Sequence, residues 1–406
     1  MDTKRCWDRK NDFSGLFVCS IHLHYQKLIF KCVSIFQLLI RKISLNNRVN
    51  IKIFFLLISV ILSILPIVNI FSGGFTKENL TNTKFLYSLD VIEGKINPYL
   101  VPLGVSIKPN SVVVGKDGWF FLGDDHQKTI SAYRTGFQTV EVQERSSVII
   151  ESQTLWKKYF QKNGVTDYKI LVGPNKSTIY NEYLPLWAKT SSESISHTLY
   201  DNDIYIDIRH TISDVINTQD LYYKTDTHWN YYGAGVAFNE FMLRINNEGL
   251  VLPPLNWSNV IRNDSYIHGD LTRFLRVGSL YSDPNPITEA NNLQLSHIIS
   301  DYNKDSVVYK GTAPLYGHRD DLYLITTPKA LNNKKVLWLS DSYGNALAPY
   351  MTATFSHILK QNWSKLLGTQ ALEQLIQEWK PDYVFVTVVE RYSLDDLFQA
   401  PPPIQP

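Results

Sequence analysis

The feature that most restricts how this chain can fold is an apolar segment, Val49–Phe71, in which Lys52 is the one charged residue. A helix needs roughly 20 apolar residues to cross the hydrocarbon core of a bilayer, so the segment predicts a transmembrane helix. Arg41, Lys42 and Arg48 precede it. Because positive charge favours the cytoplasmic side, we expect residue 73 onward to lie outside the cytoplasm.

A cleaved signal peptide is the alternative interpretation of this segment. The basic leader before it is nearly fifty residues long, which exceeds a usual signal-peptide n-region, and no clear small-x-small cleavage pattern follows. We therefore expect a single-pass anchor in the inner (cytoplasmic) membrane, with the rest of the chain in the periplasm or on the extracellular side. A shorter apolar run, Leu28–Ile40, is interrupted by Lys31 and predicts a membrane-surface or buried helix.

Charge is distributed unevenly along the chain. Residues 1–72 contain ten Lys/Arg and three Asp/Glu, so the remainder holds 30 of the 40 basic and 35 of the 38 acidic residues. A mildly acidic region lacks the basic face that nucleic-acid binding needs, and we expect no nucleic-acid partner. Cys6, Cys19 and Cys32 all precede the apolar segment, so the exported part has neither thiol nucleophiles nor thiolate metal sites.

The composition is that of an ordinary globular chain: 44% of its 406 residues are hydrophobic and 19% are charged. We predict five parts in order: a basic cytoplasmic leader (1–48), a transmembrane anchor (49–71), a stem (72–110), a catalytic domain (111–395) and a Pro-rich tail (396–406).

Short β-rich runs alternate with helical stretches after residue 111, a pattern that predicts an α/β sandwich with a mainly parallel central sheet. The predicted strands are Tyr168–Val172, Ile204–Ile208, Lys335–Leu339 and Tyr383–Val389. The predicted helices are Glu144–Gln161, Tyr232–Ile245 and Ala371–Trp379. Residues 250–333 are rich in Asn, Asp, Ser and Pro and weakly periodic, so we expect excursions that wall a cleft, or plain loop.

Ser342 is the candidate nucleophile. It follows the apolar strand that ends near Ser340 and precedes a predicted helix. Open α/β sheets place ligands at the carboxyl ends of their parallel strands, where neighbouring N–H groups can stabilise an oxyanion. A serine at such a junction is, however, more often a helix N-cap, so Ser342 needs support from other residues.

Asp226 and His228 supply that support. A hydroxyl is a poor nucleophile at neutral pH and needs a base, usually with a carboxylate that orients the base. Asp226-Thr227-His228 offers both groups from one short loop. Asn175 and Lys176 also follow a predicted strand, and parallel pairing would bring all these segments to one edge of the sheet. Asn175 could donate to an oxyanion and Lys176 could orient substrate, although a turn residue and a solvated lysine are equally consistent.

Five motifs occur in an order that is more specific than any one of them: Gly115–Asp125 (GKDGWFFLGDD), Pro174–Lys176, Asp226–Trp229, Ser340–Tyr343 and Val389–Tyr392. Over about residues 80–395 the chain resembles the AlgX/AlgJ-type SGNH hydrolase-like family of exopolysaccharide O-acetyltransferases. The resemblance implies an SGNH-hydrolase-like three-layer sandwich, O-acetylation of an exported polysaccharide, and a catalytic triad of Asp226, His228 and Ser342. It also implies a partner of the membrane-bound O-acyltransferase type that supplies acetyl groups, because acetyl-coenzyme A is absent outside the cytoplasm.

Two details refine the resemblance. No carbohydrate-binding sandwich is detected after residue 395, which is closer to the anchored AlgJ-like members. Ser340 replaces the glycine that commonly precedes Asp-Ser in the family, and a tight backbone there would be strained. We expect no cofactor and no metal. Substrate or oxyanion contacts are expected from Asn175, Lys176, Arg391 and Tyr343, with Arg391 able to clamp an acidic sugar or to form a structural ion pair.

Three other functions are compatible with the sequence. An acetyl esterase would use the same triad with water as acceptor, and the sequence does not separate it from a transferase. A non-catalytic polysaccharide-binding subunit would have no need of all three triad residues. A metal-dependent hydrolase built on Asp226, His228 and Asp341 lacks further ligands at a recognisable spacing.

Overall fold

The computed structural model describes residues 49–74, 76–134, 139–191, 193–245, 255–263, 265–315 and 321–402. The predictions for the leader, for Leu28–Ile40 and for the end of the tail lie outside these residues. The described chain divides into two compact units: one runs to Ile107 and includes Leu275–Val277, and the other comprises Lys108–Phe274 and Gly278 onward. The five-part division expected from the sequence stays a prediction.

Both α-helices and β-strands occur along the described chain. The α-helices are α1 (Val49–Gly73), α2 (Lys77–Thr81), α3 (Thr83–Leu86), α4 (Asp90–Leu100), α5 (Val140–Lys162), α6 (Lys176–Ile179), α7 (Arg209–Val215), α8 (Tyr231–Arg244), α9 (Asp270–Phe274), α10 (Glu289–Asn292), α11 (Gly344–Thr354), α12 (Trp363–Leu366) and α13 (Gln370–Trp379). The strands are β1 (Val112–Val114), β2 (Phe120–Leu122), β3 (Asp167–Gly173), β4 (Tyr205–Ile206), β5 (Val260–Arg262), β6 (Tyr266–Ile267), β7 (Asp283–Pro284), β8 (Ile287–Thr288), β9 (His297–Asp301), β10 (Ser306–Gly311), β11 (Tyr323–Thr326), β12 (Asn332–Ser340), β13 (Phe355–Gln361) and β14 (Tyr383–Val389).

The smaller unit contains the apolar helix α1. Within the described part of the chain, Ile51–Gly73 is the one helix long and apolar enough to cross a membrane, with a mean hydropathy of 2.8. This confirms the predicted apolar N-terminal helix. Near its end, buried Asn69 donates through Nδ2 to the carbonyls of Phe85, Leu86 and Ser88 at 3.0, 2.9 and 2.8 Å, so α3 packs against the end of α1.

The larger unit is built on an eight-stranded sheet with the order β10-β9-β11-β13-β12-β14-β3-β4. The five strands from β13 to β4 are parallel, and β11, β9 and β10 add an antiparallel edge. Short antiparallel pairs, β1 with β2, β5 with β8 and β6 with β7, lie outside this sheet. The predicted α/β fold with a mainly parallel sheet is confirmed.

Both faces of the sheet are covered, as the unbroken apolar strands require. Alternate residues of β14 serve two separate cores: Phe385 lies in one with α8 and α11, and Val384 and Val386 lie in the other with α5 and α13. Helices α5 and α8 begin where polar side chains accept their first free N–H groups. Thr139 does so for α5 at 3.3 Å and Asn230 for α8 at 2.9 Å. Helix, sheet and helix form the three layers.

The predicted strands all exist, although β4 covers only Tyr205–Ile206 of the predicted Ile204–Ile208. The predicted helices correspond to α5, α8 and α13 with ends shifted by up to four residues. The expectation for residues 250–333 is wrong in part, because β9, β10 and β11 from this region extend the central sheet. No residue of β10 is buried, its first three residues are all exposed, and its pairing with β9 contains a register shift, so its strand signal is weak. Strand β13 was not predicted from the sequence.

Candidate active site

Ser342 lies in the turn between the end of β12 and the start of α11 and is half-buried. The carboxylate of the preceding residue, Asp341, organises this turn. It accepts the N–H of Tyr343 at 2.9 Å through Oδ1 and the N–H of Val389 at 2.7 Å through Oδ2. Burial raises the pKa of Asp341, although these two N–H groups favour its charged form. The turn is thereby tied to the end of the neighbouring strand β14.

Ser340 occupies the position where glycine was expected. It is the last residue of β12 and is not among the residues with positive φ, so the backbone there does not require glycine. The strain that the sequence suggested is absent at this residue. Ser340 carries a different free-energy cost, because its buried hydroxyl has no hydrogen-bond partner within the described ranges.

Asp226, His228 and Ser342 lie in one hydrogen-bonded chain. The Nε2 of His228 is 2.8 Å from the Oγ of Ser342, and its Nδ1 is 2.6 Å from Oδ1 of Asp226. The His228 side chain is 25% exposed, so a ligand can reach it. The fold therefore brings together the three residues proposed as a triad, in the connectivity by which a histidine activates a hydroxyl.

The Asp226 carboxylate is held in its charged form. Burial is the largest influence and would raise its pKa, but the hydrogen bond and positive charge of His228, with the main-chain N–H groups of Asp270 and His228, lower the pKa to about 2. The Asp270 N–H lies 2.8 Å from Oδ2 of Asp226. A charged carboxylate on Nδ1 leaves Nε2 free to accept the proton of Ser342.

The loop that carries this pair, residues 223–228, forms no strand of the central sheet and is held by carboxylates that the sequence analysis missed. Asp270 accepts the N–H of Thr227 at 2.8 Å and its hydroxyl at 2.6 Å. Asp283 accepts the N–H groups of Lys224 at 2.9 Å and Thr225 at 2.8 Å. The one local signal was Gly269-Asp270 ahead of a short helix, which alone predicts no more than a helix start.

Tyr343 packs against the loop that carries Asp226 and His228. Its ring is buried against the His228 ring, with a centroid separation of 5.4 Å, and its hydroxyl donates to the carbonyl of Thr227 at 3.0 Å. Gly173 permits this packing, since a Cβ there would lie 2.5 Å from the Tyr343 ring. Because the N–H of Tyr343 donates to Asp341, these contacts give Tyr343 a supporting position in place of the predicted contact with substrate or oxyanion.

Asn175 and Arg391 lie beyond the ends of β3 and β14. Asn175 is buried; its Oδ1 accepts from Nη1 of Arg391 at 3.3 Å and its N–H donates to Glu390 at 2.7 Å. Arg391 also lies over the ring of Tyr343, 5.9 Å from the centroid. The predicted oxyanion role of Asn175 and the substrate role of Arg391 stay predictions. Glu390 accepts from Asn175 and from Thr178, contacts that anchor the loop after β3.

Lys176 is not the solvated lysine that the sequence allowed. It is buried, and its ammonium donates to the carbonyls of Tyr223, Lys224 and Asp226 at 3.0, 3.0 and 2.5 Å. Three donors on three carbonyls leave none for a substrate. The predicted substrate contact is therefore replaced by a contact with the loop of the Asp-His pair.

A metal ion was considered on Asp226, His228 and Asp341. Both carboxylate oxygens of Asp341 accept main-chain N–H groups. The acidic residue whose ligand atoms lie near those of Asp226 and His228 is Asp270 instead. Possible ligand atoms of Asp226, His228 and Asp270 lie within 4.8 Å of one another. Their oxygens accept hydrogen bonds from His228, from Thr227 and from main-chain N–H groups, so they form a network that is already satisfied.

Comparison with known proteins agrees with the resemblance seen in the motifs. Residues 112–303 match the family model described as the SGNH hydrolase-like domain of the acetyltransferase AlgX. The probable alginate O-acetylase AlgJ of Pseudomonas putida is 25% identical over 193 residues, which cover 45% of this chain and 46% of AlgJ. The chain thus matches about half the length of this relative. The resemblance to the AlgX/AlgJ-type family is confirmed.

A solved structure shares the fold. Bacillus cereus PatB1 with a sulfonyl adduct aligns with a TM-score of 0.51 and 15% identity, covering 71% of this chain and 98% of PatB1. At this identity the likeness concerns the fold alone. The O-acetyltransferase domain of P. putida AlgJ aligns with a TM-score of 0.40 and 17% identity, over 70% of this chain and 92% of that domain.

Proposed function

We propose that this chain, whose residues 112–303 match the SGNH hydrolase-like domain of the acetyltransferase AlgX, transfers acetyl groups to hydroxyls of an exported polysaccharide through an acetyl-serine on Ser342. The observation that supports this most directly is the pair of contacts from His228, 2.8 Å to the Ser342 hydroxyl and 2.6 Å to Asp226. The match to an acetyltransferase domain and the probable alginate O-acetylase activity of the relative AlgJ favour acetyl transfer to a polysaccharide.

The first half-reaction forms the acetyl-enzyme. Oγ of Ser342 attacks the carbonyl carbon of the acetyl donor while its proton moves to Nε2 of His228, whose Nδ1–H donates to Asp226. The tetrahedral intermediate carries a negative oxygen, which preorganised donors stabilise. Among the main-chain groups of the turn, the N–H of Tyr343 is committed to Asp341, so the N–H of Ser342 is the nearest candidate. The leaving group then takes the proton from His228.

The second half-reaction reverses these steps with a new acceptor. A sugar hydroxyl gives its proton to Nε2 of His228 as its oxygen attacks the acetyl-serine, and the regenerated Ser342 oxygen takes that proton back. If water replaces the sugar, the same residues hydrolyse the acetyl-enzyme. Ionised Asp226, with a pKa lowered to about 2, stabilises the histidine cation in both halves.

The proposal also includes where the protein acts and which partner supplies its acetyl groups. Helix α1 would anchor the chain in the cytoplasmic membrane with the catalytic unit on the periplasmic or extracellular side, where acetyl-coenzyme A is absent. We therefore propose a membrane-bound O-acyltransferase-type partner as the acetyl source. The polysaccharide acceptor would bind at the half-buried Ser342.

The deciding experiment is intact-protein mass spectrometry of the full chain in detergent, after brief exposure to a chromogenic acetyl ester, beside Ser342→Ala. We expect an acetyl adduct on Ser342 in the wild type and none in the variant. Adding oligosaccharides then distinguishes the two activities. Acetylated sugar indicates a transferase, whereas faster release of acetate alone indicates an esterase. Equal behaviour of both proteins, with no adduct, would contradict the proposal and favour a non-catalytic polysaccharide-binding subunit.

A further inference from the structure

Lys176 is a buried cation that the proposed reaction does not use. It is 4% exposed and begins helix α6, three residues after the last residue of β3 and next to Asn175. Its ammonium contacts the carbonyl oxygens of Tyr223 and Lys224 at 3.0 Å each and of Asp226 at 2.5 Å. All three carbonyls belong to the loop that carries the Asp-His pair.

Burial of an ammonium ion is costly unless its charge and its three N–H donors are satisfied. Here the three carbonyls satisfy the donors, and the rings of Trp119 and Phe121 lie 5.8 and 5.5 Å from Nζ. Burial lowers the pKa of Lys176 to about 8, against the opposing influence of nearby Asp226, Asp283 and Asp270. A charge placed at such a cost requires a compensating structural role.

The loop itself shows what that role is. Buried main-chain groups need hydrogen-bond partners. Residues 223–228 belong to no strand, and main-chain bonds satisfy only some of their groups: the N–H of Phe120 donates to the carbonyl of Lys224 at 2.8 Å and the N–H of Leu271 to that of Thr225 at 3.2 Å. Asp283 and Asp270 accept the N–H groups of Lys224, Thr225 and Thr227. Lys176 binds the other kind of main-chain group in the same loop, because its ammonium donates to the carbonyls. The two carboxylates therefore hold N–H groups of the loop, and the ammonium holds carbonyl groups.

We propose that Lys176 is a positioning residue that sets the distance between His228 and Ser342 by binding the carbonyls of residues 223, 224 and 226. The inference builds on the proposed function, in which His228 is the base. Catalytic groups must be held within about 0.5 Å of their working geometry, and a displacement of about 1 Å can lower the rate about 100-fold. Lys176 acts through Asp226 and touches neither the substrate nor the reacting atoms.

The first test compares Lys176→Met with Lys169→Met in the full chain. Lys169 is a matched control, since it is also a buried lysine whose ammonium donates to a main-chain carbonyl, that of Asp203 at 2.8 Å, but this carbonyl lies outside residues 223–228. We expect Lys176→Met to lower kcat for an acetyl ester about 100-fold with KM within about twofold of wild type, and Lys169→Met to change neither. A rise in KM with unchanged kcat, or a kcat within about threefold of wild type, would overturn the proposal.

Two further measurements keep the inference independent of folding defects and of the proposed reaction. If Lys176→Met does not fold, Lys176→Ala is assayed with added ethylammonium, which should restore at least tenfold in kcat in a saturable way; Lys176→Ala that folds and gains nothing contradicts the proposal. Proton NMR of the His228 Nδ1–H, which donates to Asp226 at 2.6 Å, should show a downfield signal in wild type and Lys169→Met that is lost in Lys176→Met. This signal does not depend on turnover. Its loss in a protein without Ser342-dependent activity would uphold the positioning role while the proposed function fails, and its persistence would refute the positioning role.

Discussion

The two halves of the candidate active site are held in place by different means. Ser342 lies between a regular strand and a regular helix, and the N–H of Asp341 bonds the carbonyl of Thr387 on the adjacent strand at 3.2 Å. Asp226 and His228 lie in a loop whose main chain is bound by the side chains of Lys176, Asp270 and Asp283. Secondary structure thus positions the proposed nucleophile, whereas side chains distant in sequence position the proposed base.

This difference predicts different sensitivities to mutation. A change near Ser342 should act mainly on stability, because the turn is part of the sheet and of its core. A change around the Asp-His loop should act mainly on the rate, because a small shift moves the base without unfolding the sheet.

The largest expected effect tests whether the two halves work as one unit. Ser342→Ala and His228→Gln should each lower kcat for an acetyl ester by about 10⁴-fold or more, since either change removes nucleophilic attack. The double variant should be no slower than either single variant, because residues of one unit are not additive. Steady-state kinetics of the three proteins measure this. A double variant slower by the product of the single effects would show that Ser342 and His228 act separately.

The next effect concerns the carboxylate of the loop. Asp226→Asn should lower kcat by about 10³- to 10⁴-fold, because an amide does not stabilise the histidine cation. The same carboxyl has a folded-state pKa of about 2, below its unfolded value of about 3.9. Its stabilising contribution, about 2 kcal/mol, is therefore present above pH 4 and is lost as the pH falls toward 2.

Urea unfolding between pH 2 and pH 6 measures that contribution. The difference in unfolding free energy between wild type and Asp226→Asn should shrink as the pH falls through this range. A difference that stays constant would mean that Asp226 has no lowered pKa in the folded state.

A smaller effect is expected from backbone crowding behind the loop. A Cβ at Gly269 would lie 2.1 Å from the carbonyl oxygen of Thr225, so Gly269→Ala must push the loop away. We expect kcat to fall about 100-fold with a loss of about 1–3 kcal/mol of stability. Gly164→Ala is the control, because a Cβ there meets nothing within 4 Å, although its positive φ carries a strain of its own. Equal kcat in both variants would contradict the idea that the loop position sets the rate.

The smallest effect on rate should come from the nucleophile's side. Asp341→Asn keeps one acceptor oxygen but places an NH₂ group against the N–H of Tyr343 or of Val389. We expect a loss of about 1–3 kcal/mol of stability from the unsatisfied group, and a kcat reduced less than tenfold. Thermal unfolding and ester kinetics together test this. A large loss of rate at unchanged stability would contradict the expectation that changes near Ser342 act mainly on stability.

The contrast also explains what could be predicted from the sequence. Tyr383–Val389 and Lys335–Leu339 were found because buried parallel strands are continuous apolar runs, and Ser342 was found because it follows one of them. Asp226 and His228 were found as a local pair with the right chemistry. Asp270 and Asp283 were missed because their importance arises from tertiary contacts with a loop about fifty residues earlier, and no local pattern encodes such contacts.

Other misses have the same physical origin. Lys176 was interpreted as a solvated or substrate-binding lysine. Its burial is possible because three carbonyls converge on its ammonium, and the sequence does not show that convergence. Strands β9 to β11 were missed because residues 250–333 are rich in turn-forming residues and their apolar positions alternate weakly.

The order of strands in the central sheet has a consequence for biogenesis. Strands β12, β13 and β14 are the last to be synthesised, yet they occupy the middle of the sheet and separate β3 and β4 from β9, β10 and β11. Two groups of strands made earlier therefore keep unpaired edges until β12, β13 and β14 have been synthesised. Such non-local pairing is slow, and exposed edges aggregate readily. We expect the folded sheet to form only after β14 has been synthesised, so the earlier strands need protection from aggregation until then.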